Sequence, residues 1–223
     1  MYLKGGRKIN KIGFDVLKNQ IPKNIIEYLQ DYTLVMKDRV MTKLDGKDNV
    51  QTKPIGSGDY WRGVDMASKF PLANDKENQK LFDIYTSNLM YDIVKKYIPD
   101  PYLFNDQVVV KLPKEDFEFP EHRDNQYGPK PNDDKLLTIN FMLVLDDITS
   151  NNGGFSVKNK ITNEWISLEL KIGDIVLIDG NTYHKSGKNR SDRPRRVYIC
   201  VYTNEPIGTN FQKGFYCEKF TKR

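Results

Sequence analysis

Two stretches of this chain, LLTINFMLVL (136–145) and RVYICVYT (196–203), are predominantly apolar on both alternating faces of a strand, and this constrains the fold more than any other feature. A strand that hides both faces must lie in the middle of a sheet covered on each side. Other short β-rich runs accompany them from Pro101 onward, namely QVVVKL, FEFPEH, GGFSV, WISLEL and DIVLID, each bounded by turn residues. About eight strands of this kind make a sandwich or barrel.

The texture before Pro101 is helical. Ile21, Ile25, Ile26 and Leu29 recur at helical spacing, with Pro22 in the first turn where no backbone donor is needed. A second helix is predicted from Asn74, which stands to Glu77 as in a capping box, through Leu81, Ile84, Tyr85, Leu89, Ile93 and Val94, with Pro99 stopping it. Between them PIGSGDYWRGVD (54–65) is a glycine-rich loop with aromatic content. Both halves fit a mostly β (α+β) fold: a double-stranded β-helix, the cupin-like jelly roll, with N-terminal helices packed on one sheet. The expected organisation is one domain over 1–223, with a helical part (1–100), a jelly-roll core (101–204) and a C-terminal tail (205–223).

A chain of 223 residues, 38% hydrophobic, suffices for one sizeable core. Its net charge of +5 is scattered along the sequence, so nucleic acid is not indicated as a partner. No apolar run approaches the roughly 20 residues of a membrane span, and the opening residues lack a signal-like apolar segment; a soluble, cytoplasmic protein is expected. The two cysteines, Cys200 and Cys217, are expected to be free thiols.

The chain has only two histidines. His122 stands in EHRD with Asp124 two residues on, and residues i and i+2 of an extended strand project from the same face. His184 stands in DGNTYHKSG, directly after the predicted strand DIVLID. Two imidazoles and one carboxylate on one face of an octahedron leave three positions open, the arrangement of non-haem Fe(II) oxygenases. A bidentate 2-oxo acid takes two of them and dioxygen the third. A His-X-Asp triplet is weak by itself, so the downstream context has to carry the argument.

That context is HKSGKNRSDRPR (184–195). It resembles the second half of the phytanoyl-CoA dioxygenase family pattern, in which the distal histidine is followed by a Ser, an Asn, a second small hydroxyl residue and then an Arg eleven positions on. Those places are held here by Ser186, Asn189, Ser191 and Arg195. ITSNNGG (148–154) is similar to the family's Asn-Gly turn, KIGDIVLID (171–179) to the strand before its distal histidine, and VVVKLPKEDFEFPEHRD (108–124) to its strand, Lys-Pro turn and His-X-Asp order. The resemblance covers residues 105 to 203.

The resemblance implies an Fe(II)- and 2-oxoglutarate-dependent dioxygenase that hydroxylates an unactivated C–H bond of a small molecule, with succinate and CO2 as coproducts and ascorbate as an aid in vitro. It assigns the metal to His122, Asp124 and His184, and the distal carboxylate of 2-oxoglutarate to Arg195 assisted by Ser186. Gln107 and Lys111 match positions near the same pocket. Arg195 shares a strand face with Val197, Ile199 and Val201, whereas the neighbouring Arg196 shares one with Tyr198, Cys200 and Tyr202; the aliphatic set suits a barrel interior. An intact Asp124 favours hydroxylation over halogenation, which in similar enzymes accompanies loss of that carboxylate.

The connection between GGFSV and WISLEL is shorter than in many family members, where a loop there covers the substrate. Tyr60, Trp61 and Arg62 are candidates for that cover and for substrate contact, although an aromatic pair pinning its own loop reads equally well. Three alternatives stay open. A prolyl-hydroxylase-like enzyme acting on a protein side chain would usually anchor 2-oxoglutarate with lysine. The others are a jelly roll that binds a metal or sugar without catalysis, and a nucleic-acid dealkylase. PKPNDDKL (129–136) reads as an exposed turn, and KNRSDRPRR (188–196) as a basic loop beside the site.

Overall fold

The structure, a computed structural model, describes residues 9, 11–42, 76–114, 116, 118–126, 136–207 and 218–222. Strand β1 (Phe14–Leu17) precedes helices α1 (Lys23–Thr42), α2 (Lys76–Tyr85) and α3 (Asn88–Val94). Then come β2 (Tyr102–Lys111), β3 (Phe119–His122), a 3-10 turn (Asp124–Gln126), β4 (Thr138–Val144), β5 (Ser156–Lys158) and β6 (Trp165–Ser167). The chain ends with β7 (Ile175–Asp179), β8 (His184–Ser186), β9 (Arg195–Thr203) and β10 (Glu218–Lys219). A six-stranded sheet in the order β1-β7-β4-β9-β2-β10 faces a four-stranded sheet in the order β3-β8-β5-β6, every pair antiparallel. This is the expected jelly roll.

The two stretches that are apolar on both faces become neighbours at the centre of the larger sheet, where β4 pairs with β9. Outward, Ile139, Phe141, Leu143, Tyr198, Cys200 and Tyr202 meet Leu29 of α1, Leu81 and Tyr85 of α2 and Val94 of α3. Inward, Met142, Val144 and Val197 join Val109, Val176 and Ile178 against Phe155 and Val157 of the smaller sheet. The helices therefore back one sheet, as the sequence predicts. The buried phenols are satisfied: Tyr85 Oη donates to Val201 O (2.8 Å), Tyr202 Oη to Tyr85 O (2.9 Å) and Tyr198 Oη to Asp106 (2.6 Å). Burial pushes the Cys200 thiol well up, so it is an inert core residue. No helix among the described residues is long and apolar enough to cross a membrane.

Three sequence expectations need correction. The helix predicted from Asn74 to Val94 breaks at Ser87, whose extended backbone and Oγ, accepting from Met90 N (3.3 Å), cap a fresh helix; Asn74 itself lies outside the described residues. Serine prefers this role to a helix interior because its hydroxyl replaces a missing backbone partner. The N-terminal hundred residues are not purely helical, since FDVL (14–17) pairs along β7 and covers what would be an open edge. The tail also joins the fold, Glu218 and Lys219 pairing with Leu103 and Tyr102 and Phe220 stacking on Tyr202. Cys217 lies outside the described residues.

The lead into β7 is held by a buried carboxylate. Gly173 turns the chain at φ +87°, and Asp174 accepts from Lys171 N (2.9 Å), Asn19 N (3.2 Å) and Lys18 Nζ (2.8 Å). It thereby ties the β6–β7 connection to the β1–α1 connection. Burial works to raise the Asp174 pKa, but the bonds from Lys171 N, Lys18 and Asn19 N outweigh it and hold the carboxyl below its ordinary value. A depressed folded-state value stabilises the protein above the unfolded-state value, and that stability is lost as pH falls through the folded one. Asp174→Ala is expected to cost about 2 kcal/mol in urea unfolding at neutral pH, because two backbone donors lose their partner. The gap to the unsubstituted protein should close on acidification below the ordinary carboxylate range.

Candidate active site

Strands β3 and β8 pair so that His122 lies directly opposite His184, with ring centroids 4.2 Å apart. The chain leaves β3 after His122, and Asp124 opens the 3-10 turn instead of continuing the strand as the i, i+2 argument assumed. Asn125 N donates to Gly180 O (3.0 Å) and holds that turn against the end of β7. The turn still delivers the carboxylate to the histidines: Asp124 Oδ1 is 3.6 Å from His122 Nε2, and Oδ2 is 3.6 Å from His184 Nε2. One ligand-type atom from each residue lies within 4.8 Å of the other two.

The hydrogen bonds behind the rings define what this cluster can hold. His122 Nδ1 lies 2.8 Å from Pro120 O, and His184 Nδ1 lies 3.0 Å from Thr182 O. A carbonyl only accepts, so each neutral ring carries its proton on Nδ1 and presents a lone pair at Nε2. The carboxylate is also acceptor-only. Three acceptors thus converge at distances too long for a hydrogen bond between them, an arrangement that fits a cation. The donor set, two imidazoles and one carboxylate, suits Fe(II).

A cavity opens from this cluster into the jelly roll, walled by Val109, Phe119, Met142, Phe155, Val197 and Ile199, with Gln107, Ser186 and Arg195 as further lining groups. Arg195, the first residue of β9, is only 2% exposed and faces inward. Arg196 faces outward and makes a two-pronged pair with Asp146 (Nε–Oδ2 2.7 Å, Nη2–Oδ1 2.7 Å), with Nη1 donating to Gln30 O (3.1 Å). Lys111, opposite Arg195 in the register, is fully buried, its ammonium donating to Gly187 O and lying 5.3 Å from the Phe119 ring. The structure thus brings His122, Asp124, His184, Arg195, Ser186 and Gln107 to one cavity, whereas Lys111 is not among its lining residues and lies behind Phe119. Tyr60, Trp61 and Arg62 lie outside the described residues.

The loop that carries Arg195 folds around Asn189, which is wholly buried. Its Nδ2 donates to Lys111 O (3.1 Å) and Arg193 O (2.8 Å), and its Oδ1 accepts from Ser191 N (3.1 Å) and Ser191 Oγ (2.7 Å). Asn189 and Ser191 thus shape the loop that leads into Arg195. The ITSNNGG turn meets the other end of β8: a Cβ on Gly153, at φ +103°, would sit 2.7 Å from Gly187 O, so glycine is needed for this approach. One site residue escaped the sequence reading. Asn140 of β4 donates through Nδ2 to Asp124 Oδ2. The signal was an amide at an inward position of a strand that is apolar apart from Thr138 at its start.

The sequence profile of the family described as phytanoyl-CoA dioxygenase (PhyH) matches residues 157–197, from β5 into β9. Over that span the chain is similar to the phytanoyl-CoA dioxygenase family. The matched span includes His184, Ser186, Asn189, Ser191 and Arg195, whereas His122 and Asp124 precede it. Similar solved structures include the non-haem α-ketoglutarate-dependent epimerase SnoN from nogalamycin biosynthesis, at 16% identity and TM-score 0.68 over 93% of this chain and 86% of that one. AviO1 from Streptomyces viridochromogenes Tue57 is similar at 19% identity and TM-score 0.69, over 92% of this chain and 95% of that one. EctD from S. alaskensis with 2-oxoglutarate and 5-hydroxyectoine follows at 16% identity and TM-score 0.69, over 92% and 79%. At these identities the likeness establishes the fold. No curated protein matches the sequence.

Two outcomes are expected. Anaerobic calorimetric titration of the apoprotein with Fe(II) should give one equivalent bound, and His184→Ala should weaken it by more than about 100-fold, since loss of an outer partner alone costs up to that much. Asn189→Ala should lower unfolding stability by about 2 kcal/mol through the orphaned groups it leaves.

Proposed function

We propose that the protein is an Fe(II)- and 2-oxoglutarate-dependent dioxygenase that hydroxylates an unactivated C–H bond of a small molecule. The observation that carries this reading is the convergence of two Nδ1-anchored imidazoles and a carboxylate, all acceptors, in a cavity that also contains a buried arginine. Iron held by His122, Asp124 and His184 would supply the oxidation in which O2 and 2-oxoglutarate become succinate and CO2 as the substrate is hydroxylated.

The chain's own residues do the rest. The Arg195 guanidinium offers the planar fork that fits the distal carboxylate of 2-oxoglutarate, and burial at 2% exposure strengthens that pairing by excluding water. Ser186 and Gln107 add polar groups along the cavity, and Lys111, outside its lining, fastens β2 to the end of β8 through Gly187 O. The apolar side chains Val109, Met142, Val197 and Ile199 keep solvent from the reacting atoms. No side chain has to act as nucleophile, which suits a chain with no histidine beyond the two in the site. The small-molecule reading is supported by similar structures of SnoN in complex with nogalamycin RO and of EctD with 5-hydroxyectoine. Similar structures also include an epimerase and a carbocyclase, so product analysis is part of the test.

A panel of metabolites and peptides, incubated with Fe(II), ascorbate, 2-oxoglutarate and air, should reveal a small molecule that stimulates succinate formation and gains one oxygen atom. Arg195→Ala should raise the KM for 2-oxoglutarate by about 10- to 100-fold, the worth of a charge-assisted pair. His122→Ala should abolish turnover. Turnover untouched by both substitutions would refute the assignment.

A further inference from the structure

Asn140 lies in the middle of β4 with 5% of its surface exposed. With Thr138 it continues the inward face that Met142 and Val144 occupy deeper in the sheet. Its Nδ2 donates to Asp124 Oδ2, while its Oδ1 is buried and has no hydrogen-bond partner among the described residues. The orientation is fixed by chemistry, because only the NH2 edge of an amide can face a carboxylate. A buried carbonyl without a partner is a net cost to folding, and a leucine of similar outline would fill the same space without it. Thr138 Oγ1 and Asn125 Nδ2 are likewise buried without hydrogen-bond partners among the described residues. The one satisfied end of Asn140 is the end on Asp124.

Resting on the oxygenase reading above, we propose that Asn140 is a positioning residue that holds Asp124 to coordination through a single oxygen. The two carboxylate oxygens are equivalent in reach, each 3.6 Å from one of the two Nε2 atoms. Left alone, such a carboxylate can turn both oxygens onto one ion. The Asn140 amide occupies a lone pair of Oδ2 and fixes the rotation of the group, so Oδ1 is the better donor. This matters because two imidazoles and one oxygen leave three positions of an octahedron, the number that a chelating 2-oxo acid and dioxygen need together. A carboxylate bound through both oxygens would close one of them.

The test compares the unsubstituted protein with Asn140→Leu, of similar shape without a donor, and Asn140→Ala, which keeps the test open if leucine is not accommodated. Three quantities are measured: the apoprotein melting temperature, the affinity for Fe(II) by anaerobic calorimetry, and the affinity of the Fe(II) form for 2-oxoglutarate, read from the visible charge-transfer absorption of the ferrous 2-oxo acid chelate. The proposal expects both variants to bind Fe(II) at least as tightly and 2-oxoglutarate at least about tenfold more weakly. Asn140→Leu should melt no lower than the unsubstituted protein. Affinities for 2-oxoglutarate within about twofold in both variants would overturn it. So would a joint loss of melting temperature and Fe(II) affinity in both, the mark of a purely structural amide. Absence of the chelate absorption in the unsubstituted protein would instead sink the oxygenase reading, and this inference with it.

Discussion

The site depends on two hydrogen bonds of one kind, each from a histidine Nδ1 to the carbonyl two residues earlier in the chain. They decide the tautomer, and the tautomer decides the chemistry. Were either ring to carry its proton on Nε2, it could donate to Asp124 and the cluster would close on itself as an ordinary polar contact. With Nδ1 committed, two nitrogen lone pairs and a carboxylate face one another, and the repulsion among them favours a positive ion. Because both carbonyl partners are local in sequence, the arrangement survives small shifts elsewhere in the molecule.

The two sheets divide the work. The smaller one places the histidines opposite each other on β3 and β8. The larger one supplies Gln107, Asn140 and Arg195 from β2, β4 and β9. Along β9 the alternation of faces sends Arg195 into the cavity and Arg196 outward, where its fork on Asp146 and its bond to Gln30 fasten α1 to the start of the strand. Adjacent residues of one type thus have opposite tasks, separated by nothing more than the pleat.

Much of this could be read from the sequence, for identifiable reasons. The burial of β4 and β9 on both faces follows from their continuous apolar character, and the choice between Arg195 and Arg196 from the residues they alternate with. Other features have no local signature. FDVL is too short to outweigh its helical surroundings, and it becomes a strand because β7 needs a neighbour. The break at Ser87 hides inside a good helical period. Asp174 reads as one surface acid among many until Asn19, 155 positions away, is folded against it. The roles of Asn189 and Ser191 depend on carbonyls of Lys111 and Arg193 that only the folded loop brings near.

Among the described residues, the protection around the cavity is uneven. Helices lie against the outer face of the larger sheet, whereas the smaller sheet turns outward a layer of Lys158, Trp165, Tyr183 and Lys185, held by cation–ring contacts such as Lys185 over Trp165 at 4.1 Å, with Tyr183 37% exposed. Among the described residues, the helices back the larger sheet only, and the histidines sit on the smaller one. A sheet without helical backing opens at lower cost than one with it, so the convergence of the two imidazoles would be lost before the helical signal on warming or in mild denaturant.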